Sequence, residues 1–122
     1  MSDVPMRMKL SLRLFFGDGK CFGPGPAELL RGVDRCGSLR AAALEMNMAY
    51  SKAWTMLRSC EEALGFPLLS REVGGHHGGS SRLTPQGRAF LDHYFSMEQR
   101  LTQYGEELLR EPFPAAEPTE SL

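Results

Sequence analysis

Residues 37–65 read GSLRAAALEMNMAYSKAWTMLRSCEEALG, and this stretch decides the fold. Ser38 is suited to cap a helix by accepting backbone N–H bonds, and the apolar side chains after it recur at three- and four-residue intervals. After Asn47 a second apolar stripe runs over residues 49–64 and stops at Gly65, a residue that favours a helix end. The stretch therefore predicts two short helices joined at a tight turn.

The second of these helices, residues 49–64, has two different faces. Its apolar face consists of Ala53, Leu57, Cys60 and Leu64. Its other face carries hydroxyl and basic side chains, namely Ser51, Lys52, Thr55, Arg58 and Ser59. Such side chains read base edges or bind phosphates when a recognition helix enters the major groove. We predict DNA contacts for Ser51, Lys52, Thr55 and Arg58. The alternative is an ordinary solvated helix face.

The residues before this stretch predict a hairpin and a further helix. Apolar and polar side chains alternate from residue 8 to 16 with the period of two that is typical of a strand. Gly-Asp-Gly at 17–19 lets the chain reverse and return through residues 21–22. A helix from Pro26 to Gly37 follows, since proline suits a first helical position and glycine a helix end.

A second hairpin follows the candidate recognition helix. Residues 66–73 and 81–83 have the pattern of strands, and a loop rich in Gly, Ser and His joins them. A hairpin in this position is the wing of a winged helix, which approaches phosphates or the minor groove. We expect further DNA contacts from the wing and its surroundings, at His76, His77, Arg71, Arg82 and, on the preceding helix, Arg40.

A long last helix is predicted over residues 85–110, because Thr84 can cap it and Pro85 suits its first position. An apolar seam with the alternating spacing of a coiled coil consists of Phe90, Tyr94, Met97, Leu101, Tyr104 and Leu108. Its first half, to Met97, is expected to cover the domain's own core. The second half extends beyond a small domain, which favours a two-fold homodimer. The alternative is a seam packed wholly inside one protomer.

These elements predict an α+β fold, mostly helical: a winged helix-turn-helix with an N-terminal hairpin, a β-wing and a long C-terminal dimerisation helix. We divide the chain into a flexible N-terminus (1–7), the DNA-binding domain (8–84) and the dimerisation helix (85–110). Residues 111–122 are rich in proline and acid, which predicts a disordered tail.

Charge and cysteine content narrow the function classes. The net charge is -1, but residues 1–100 hold 13 Lys and Arg against 10 Asp and Glu, whereas residues 101–122 hold one arginine and five glutamates. The three cysteines include no CxxC pair, so neither a disulfide framework nor a thiolate zinc site is indicated. No apolar run approaches a membrane span. We expect a cytoplasmic protein without membrane contact.

Other chemistry is not indicated by the sequence. The adjacent histidines His76 and His77 invite a metal interpretation, but a flexible loop lacks preorganised geometry and further ligands. The glycine-rich loop lacks the Lys-Ser/Thr of a phosphate-binding P-loop. The sequence has no paired carboxylates in a recognisable catalytic motif, no nucleophile with a positioned base and no cofactor loop. We therefore expect neither an enzyme nor a metal or cofactor.

The two aromatic residues of the candidate recognition helix, Tyr50 and Trp54, are interpreted differently. Tyr50, near its start, is compatible with a hydrogen bond to a phosphate and equally with a ring packed on the preceding helix. Trp54 is interpreted as a core residue.

Several motifs resemble the N-terminal DNA-binding domain of the molybdate-responsive regulator family ModE. They are CFGPGPAELL at 21–30, GSL at 37–39 with Ala42-Ala43, MAYSKAW at 48–54, and the wing glycines followed by LTPQG at 83–87. Residues 37–71, including EEALGFPL at 61–68, are also similar to the LysR-type helix-turn-helix. The resemblance covers about residues 8–108 and implies a winged helix-turn-helix that binds DNA.

The resemblance also sets an expectation about ligands. ModE proteins carry oligomer-binding-like domains that bind molybdate, and LysR proteins carry a periplasmic-binding-protein-like effector domain. Neither fits after residue 110, so we expect no molybdate binding by this chain. The sequence thus predicts a transcriptional regulator that binds a pseudo-palindromic operator in double-stranded DNA as a homodimer. The alternative is a winged helix used only for protein contact.

Overall fold

The computed structural model describes residues 6–17, 19–71 and 80–114. Within these ranges the chain forms helices and short antiparallel hairpins, which confirms the mostly helical α+β class. The elements in chain order are β1 (Leu14–Phe16), β2 (Gly19–Phe22), α1 (Pro24–Cys36), α2 (Leu39–Glu45), α3 (Tyr50–Leu64), β3 (Leu69–Arg71), β4 (Ser81–Leu83) and α4 (Pro85–Arg110).

The helix ends follow the capping residues seen in the sequence. The Ser38 hydroxyl oxygen accepts the N–H of Ala41 at 3.0 Å, which starts α2. Gly37 ends α1 and Gly65 ends α3, with φ of 84° and 86° in the left-handed region. A side chain with a Cβ adopts this region only with strain. These glycines therefore allow the sharp turns that follow α1 and α3.

Several element boundaries differ from the sequence-based prediction. The helix α1 begins at Pro24 rather than Pro26, because a proline lacks only an N–H that the first turn leaves unbonded anyway. Strand β1 covers residues 14–16 of the predicted 8–16. Strand β3 covers residues 69–71 of the predicted 66–73, since Pro67 has no N–H for a strand ladder.

The segment before β1 packs on α4. The Tyr94 hydroxyl donates to the carbonyl oxygen of Leu12 at 2.7 Å. Further along α4, a Cβ on Gly105 would lie 2.7 Å from the Met8 thioether, so the absence of a side chain there allows Met8 to lie against the helix. These two contacts replace the strand pairing expected for residues 8–13.

The core lies between the first hairpin, helices α1 to α3 and the first half of α4. Phe22 is fully buried at its centre, with its ring 4.8 Å from that of Phe90 and 5.0 Å from that of Tyr94, both edge-to-face. Aromatic pairs in this arrangement contribute about 0.5–1.5 kcal/mol beyond their buried area. The buried faces of α3 and α4 are thus held against one cluster, which fixes where their outer faces point.

Within the described ranges, none of the helices combines the length and the apolar character needed to span a bilayer.

Candidate nucleic-acid interface

The outer face of α3 is open to solvent. Ala53, Leu57 and Cys60 are at most 2% exposed, whereas the predicted contact residues Ser51, Lys52, Thr55 and Arg58 are exposed, as is Ser59. The residues that the sequence assigned to opposite faces therefore do lie on opposite faces. A polar strip from Ser51 to Ser59, about two and a half helical turns long, is available to a partner.

The position of α3 is set by its turn with α2. Asn47 adopts φ 54°, a left-handed conformation that asparagine tolerates better than most residues. The N–H of Met48 then donates to the carbonyl oxygen of Ala43 at 2.9 Å. Helices α1 and α2 approach closely as well, since a Cβ on Gly32 would lie 2.9 Å from the Ala42 methyl. The three helices therefore form one packed unit that presents α3 outward.

The base of the wing is bound to this unit. Strands β3 and β4 pair in antiparallel register, with Ser70 opposite Arg82. The Ser81 N–H donates to the carbonyl oxygen of Gly37 at 3.0 Å, which ties β4 to the end of α1. The Glu61 carboxylate accepts the N–H groups of Leu68 and Leu69 at 2.8 and 3.3 Å, which ties the start of β3 to α3.

Two of the predicted wing contacts fall within the described strands. Arg82 is exposed on β4, and Arg71 is the last residue of β3. His76 and His77 lie outside the described residues.

Ion pairing divides the arginines into two groups. Arg31 pairs with Glu28 at 3.6 Å, and Arg35 and Arg88 pair with Glu45 and Asp34. Within the part of the chain that the structure describes, Arg40 and Arg58 have no carboxylate partner. Their positive charge is therefore not neutralised locally. Arg40 and Arg58 thus contribute unneutralised positive charge on α2 and α3, where the sequence predicted DNA contacts.

Arg40 and Arg58 lie over aromatic rings instead. The Arg40 guanidinium carbon lies 4.3 Å from the ring centroid of Tyr50, and that of Arg58 lies 4.9 Å from the ring centroid of Trp54. Both distances are within the range of a cation–π interaction. Tyr50 is half-buried, so its ring packs on α2 through Arg40, in agreement with one of its two predicted roles.

Helix α4 has a buried half and an exposed half. Tyr94 is 1% exposed and Phe90 packs against the core, so these two members of the predicted seam contact their own protomer. The exposed seam consists of Leu101, Tyr104 and Leu108, which are 42%, 61% and 44% exposed. A shallow groove at the N-terminal end of the exposed seam is lined by Met97, Arg100, Leu101 and Tyr104. Phe90 and Tyr94 thus lie where the sequence analysis expected them, whereas Met97, which was expected to cover the core, lines this groove instead.

Two functional roles were missed by sequence reasoning. Glu61 had no assigned role, and its carboxylate anchors the wing; the contact joins residues seven and eight apart in a turn that no motif identifies. Trp54 was assigned to the core, and it does pack there, but its ring also supports Arg58. The four-residue spacing of Trp54 and Arg58 was the available signal, because side chains at i and i+4 meet on a helix.

The buried thiols have environments that disfavour ionisation. The Cys60 thiol donates to the carbonyl oxygen of Cys21 at 2.5 Å. Burial, followed by the nearby Cys21 and Glu61, raises the pKa of Cys60 from 9.0 to about 12. Burial also raises the pKa of Cys21. Both thiols are therefore protonated at neutral pH and act as small core side chains. Among the described residues, no three His, Cys, Asp or Glu side chains form a group able to hold a metal ion.

Comparison with known proteins agrees with this geometry. Residues 27–88 match the model of the family described as bacterial regulatory helix-turn-helix protein, lysR family. The chain is 30% identical to the transcriptional regulator ModE of Haemophilus influenzae over 98 residues, which cover 80% of this chain and 36% of that protein. It is 32% identical to the molybdenum-pterin-binding protein MopB of Rhodobacter capsulatus over 80 residues, covering 66% of this chain and 30% of that protein. The chain thus spans about a third of the length of these relatives.

Two solved structures have a similar fold. One is the crystal structure of the CbnR_DBD-DNA complex, with a TM-score of 0.55 and 23% identity, covering 68% of this chain and 90% of that chain. The other is ArgP from Mycobacterium tuberculosis, with a TM-score of 0.53 and 23% identity, covering 71% of this chain and 31% of that chain. At this level of identity the likeness supports the winged-helix fold.

Proposed function

The chain belongs to the lysR family of bacterial regulatory helix-turn-helix proteins, which are DNA-binding transcriptional regulators and not enzymes, and we propose that it binds a pseudo-palindromic operator as a homodimer. The observation that carries the proposal is the unneutralised charge of the outer face of α3. There, Lys52 and Arg58 are exposed beside the hydroxyls of Ser51 and Thr55. Such a face suits base edges and phosphates of the major groove.

Contacts outside α3 would position the protein on the duplex. Arg40 on α2 and Arg82 on β4 are exposed cations on either side of α3 in the sequence, and we assign both to phosphates, together with Arg71, His76 and His77 of the wing. The Tyr50 hydroxyl is assigned to a phosphate as well, since stacking with Arg40 uses only its ring. Contacts of this kind fix register and carry no sequence information.

Dimerisation would be mediated by the exposed seam of α4. Leu101, Tyr104 and Leu108 leave apolar area in water unless a second copy covers it. Pairing of two antiparallel or crossed α4 helices would place two recognition helices on one face of DNA. Half-sites about 34–36 Å apart, one helical turn, would follow. Such a regulator works in the bacterial cytoplasm.

The experiment that tests the proposal is selection of binding sites from random duplex DNA. The wild type is compared with a variant that carries Lys52→Ala and Arg58→Ala, and with a control that carries Arg31→Ala and Arg35→Ala. The control removes the same formal charge from arginines that are already paired with acids. We expect a pseudo-palindromic motif for the wild type and the control, and none for the α3 variant.

A different outcome would favour the alternative function. If the wild type enriches no sequence even at low salt, specific DNA reading is excluded, and a winged helix used for protein contact becomes the better interpretation. Salt separates the two further, because binding through several phosphates weakens steeply as salt rises and an apolar protein interface does not.

A further inference from the structure

Trp54 and Arg58 form a cation–π pair on α3, with the guanidinium carbon 4.9 Å from the indole centroid. We infer that Trp54 is a positioning residue for DNA recognition, which holds the Arg58 side chain so that its N–H edge faces the bases. The inference rests on the proposed function and goes beyond it, since it gives a base-reading geometry to one side chain through a residue that does not itself contact DNA.

The placement of Trp54 on α3 suits this role. With about 100° of rotation per residue, Trp54 lies between the buried line of Ala53 and Leu57 and the exposed side that carries Arg58. Its ring is half-buried and packs against the core. The core therefore holds one part of the indole in place, and the Arg58 guanidinium lies over the ring.

The chemistry of the guanidinium also suits this role. Stacking uses the flat face of the group and leaves its N–H donors at the edge, where they can bind the O6 and N7 acceptors of a guanine as a bidentate pair. Arg35, by contrast, points its guanidinium at the Glu45 carboxylate. Arg58 has no such competing acceptor within the described ranges, so its donors remain available to an incoming base.

A second pair of the same kind lies beside the first. Arg40 stacks on Tyr50 at 4.3 Å, and Tyr50, Trp54 and Arg58 follow one another at four-residue intervals along α3. An ordered arginine loses less rotamer freedom on binding than a mobile one. Both arginines next to the outer face of α3 are thus held before DNA arrives.

A double-mutant cycle tests the inference. Trp54→Leu, Trp54→Phe and Arg58→Ala are made singly, and each Trp54 variant is also combined with Arg58→Ala. Affinity is measured on the selected operator. We expect Trp54→Leu to weaken binding about two- to five-fold, the contribution of one exposed cation–π pair, and Trp54→Phe to weaken it less, since phenylalanine keeps a ring. In the Arg58→Ala background, neither Trp54 variant should weaken binding further.

A readout without DNA separates this inference from the proposed function. Ring-current shifts of the Arg58 side-chain protons are measured by NMR in the free protein. They should be present in the wild type, smaller in Trp54→Phe and absent in Trp54→Leu. If Trp54→Leu does not fold, the Phe variant alone completes both the cycle and the shift comparison.

Each result has one meaning. Failure of the wild type to bind any DNA would overturn the proposed function and this inference with it, whatever the shifts. Specific binding by the wild type without the shifts, or with Trp54 effects that persist at full size in the Arg58→Ala background, would leave the proposed function standing and overturn the positioning role.

Discussion

The hydroxyl of Thr84 donates to the carbonyl oxygen of Pro67 at 2.7 Å, and its oxygen accepts the N–H of Gly87 at 2.8 Å. One buried side chain thus both caps α4 and binds the turn before the wing. We expect Thr84→Val, which keeps the shape but loses both bonds, to lower the free energy of unfolding by about 2–3 kcal/mol. Thr84→Ser keeps both bonds and should cost much less. Urea denaturation compares them, and equal stabilities would contradict the assignment.

Gly87 has no space for a side chain. A Cβ there would lie 2.4 Å from the carbonyl oxygen of Leu68, a backbone atom that cannot move away alone. We expect Gly87→Ala to destabilise the fold by about 3 kcal/mol or more, at or beyond the upper end of overpacking effects. Thermal unfolding followed by circular dichroism measures this loss.

Two matched variants show whether the effect of Gly87→Ala is local. Gln86→Ala changes the exposed neighbour and should be nearly neutral. Gly105→Ala meets only the flexible end of Met8 and should cost less than Gly87→Ala. A Gly105 variant as unstable as the Gly87 variant would show that the closeness of the backbone is not the cause.

The salt dependence of DNA binding should distinguish Arg40 from Arg31. Both stack on an aromatic ring, Arg40 on Tyr50 and Arg31 on Phe95, but Arg31 is also paired with Glu28. If Arg40 neutralises one phosphate, Arg40→Ala should reduce the slope of log K against log salt by about 0.9, and Arg31→Ala should leave it nearly unchanged. Equal slopes for Arg40→Ala and the wild type would remove Arg40 from the interface.

The exposed seam of α4 predicts the effect of charge on assembly. Leu101→Glu with Tyr104→Glu places two carboxylates where an apolar contact with a second copy is proposed, so we expect the sedimentation mass to fall from dimer to monomer. Gln103→Glu, on the same helix and also exposed, is the control and should leave the mass unchanged. A mass unaffected by the double substitution would rule out this seam as the dimer interface.

Alkaline pH should destabilise the fold through Cys60. Its pKa is about 12 in the folded protein against 9.0 for an ordinary thiol, so above pH 9 the unfolded chain releases a proton that the folded chain retains. This contribution is complete below pH 9 and is lost as pH rises from 9 towards 12. Urea midpoints from pH 7 to 10.5 should fall less steeply for Cys60→Ala than for the wild type. Parallel curves would show that the Cys60 thiol does not contribute.

The parts of the fold predicted correctly depend on local rules. Ser38, Gly65 and Thr84 mark helix ends through bonds or dihedral angles within a few residues, so the sequence alone identifies them. The contacts that were missed join distant positions: Tyr94 with Leu12, Ser81 with Gly37, and Arg88 with Asp34. No periodicity encodes such pairs, because the packing of whole elements creates them. At the candidate interface, the sequence likewise predicted which residues are exposed. It did not predict which arginines are paired with a carboxylate.

The ion pairs of Arg31, Arg35 and Arg88 determine how easily the net charge of the protein surface can be changed by substitution. Each guanidinium is already exposed, and a neighbouring acid cancels its charge. Replacing Glu28, Asp34 or Glu45 by the corresponding amide would raise the local net charge by one unit. The change needs no new basic residue and leaves the core unaltered. Attraction for a polyanion is therefore adjustable in small steps, each of which leaves the folded scaffold intact.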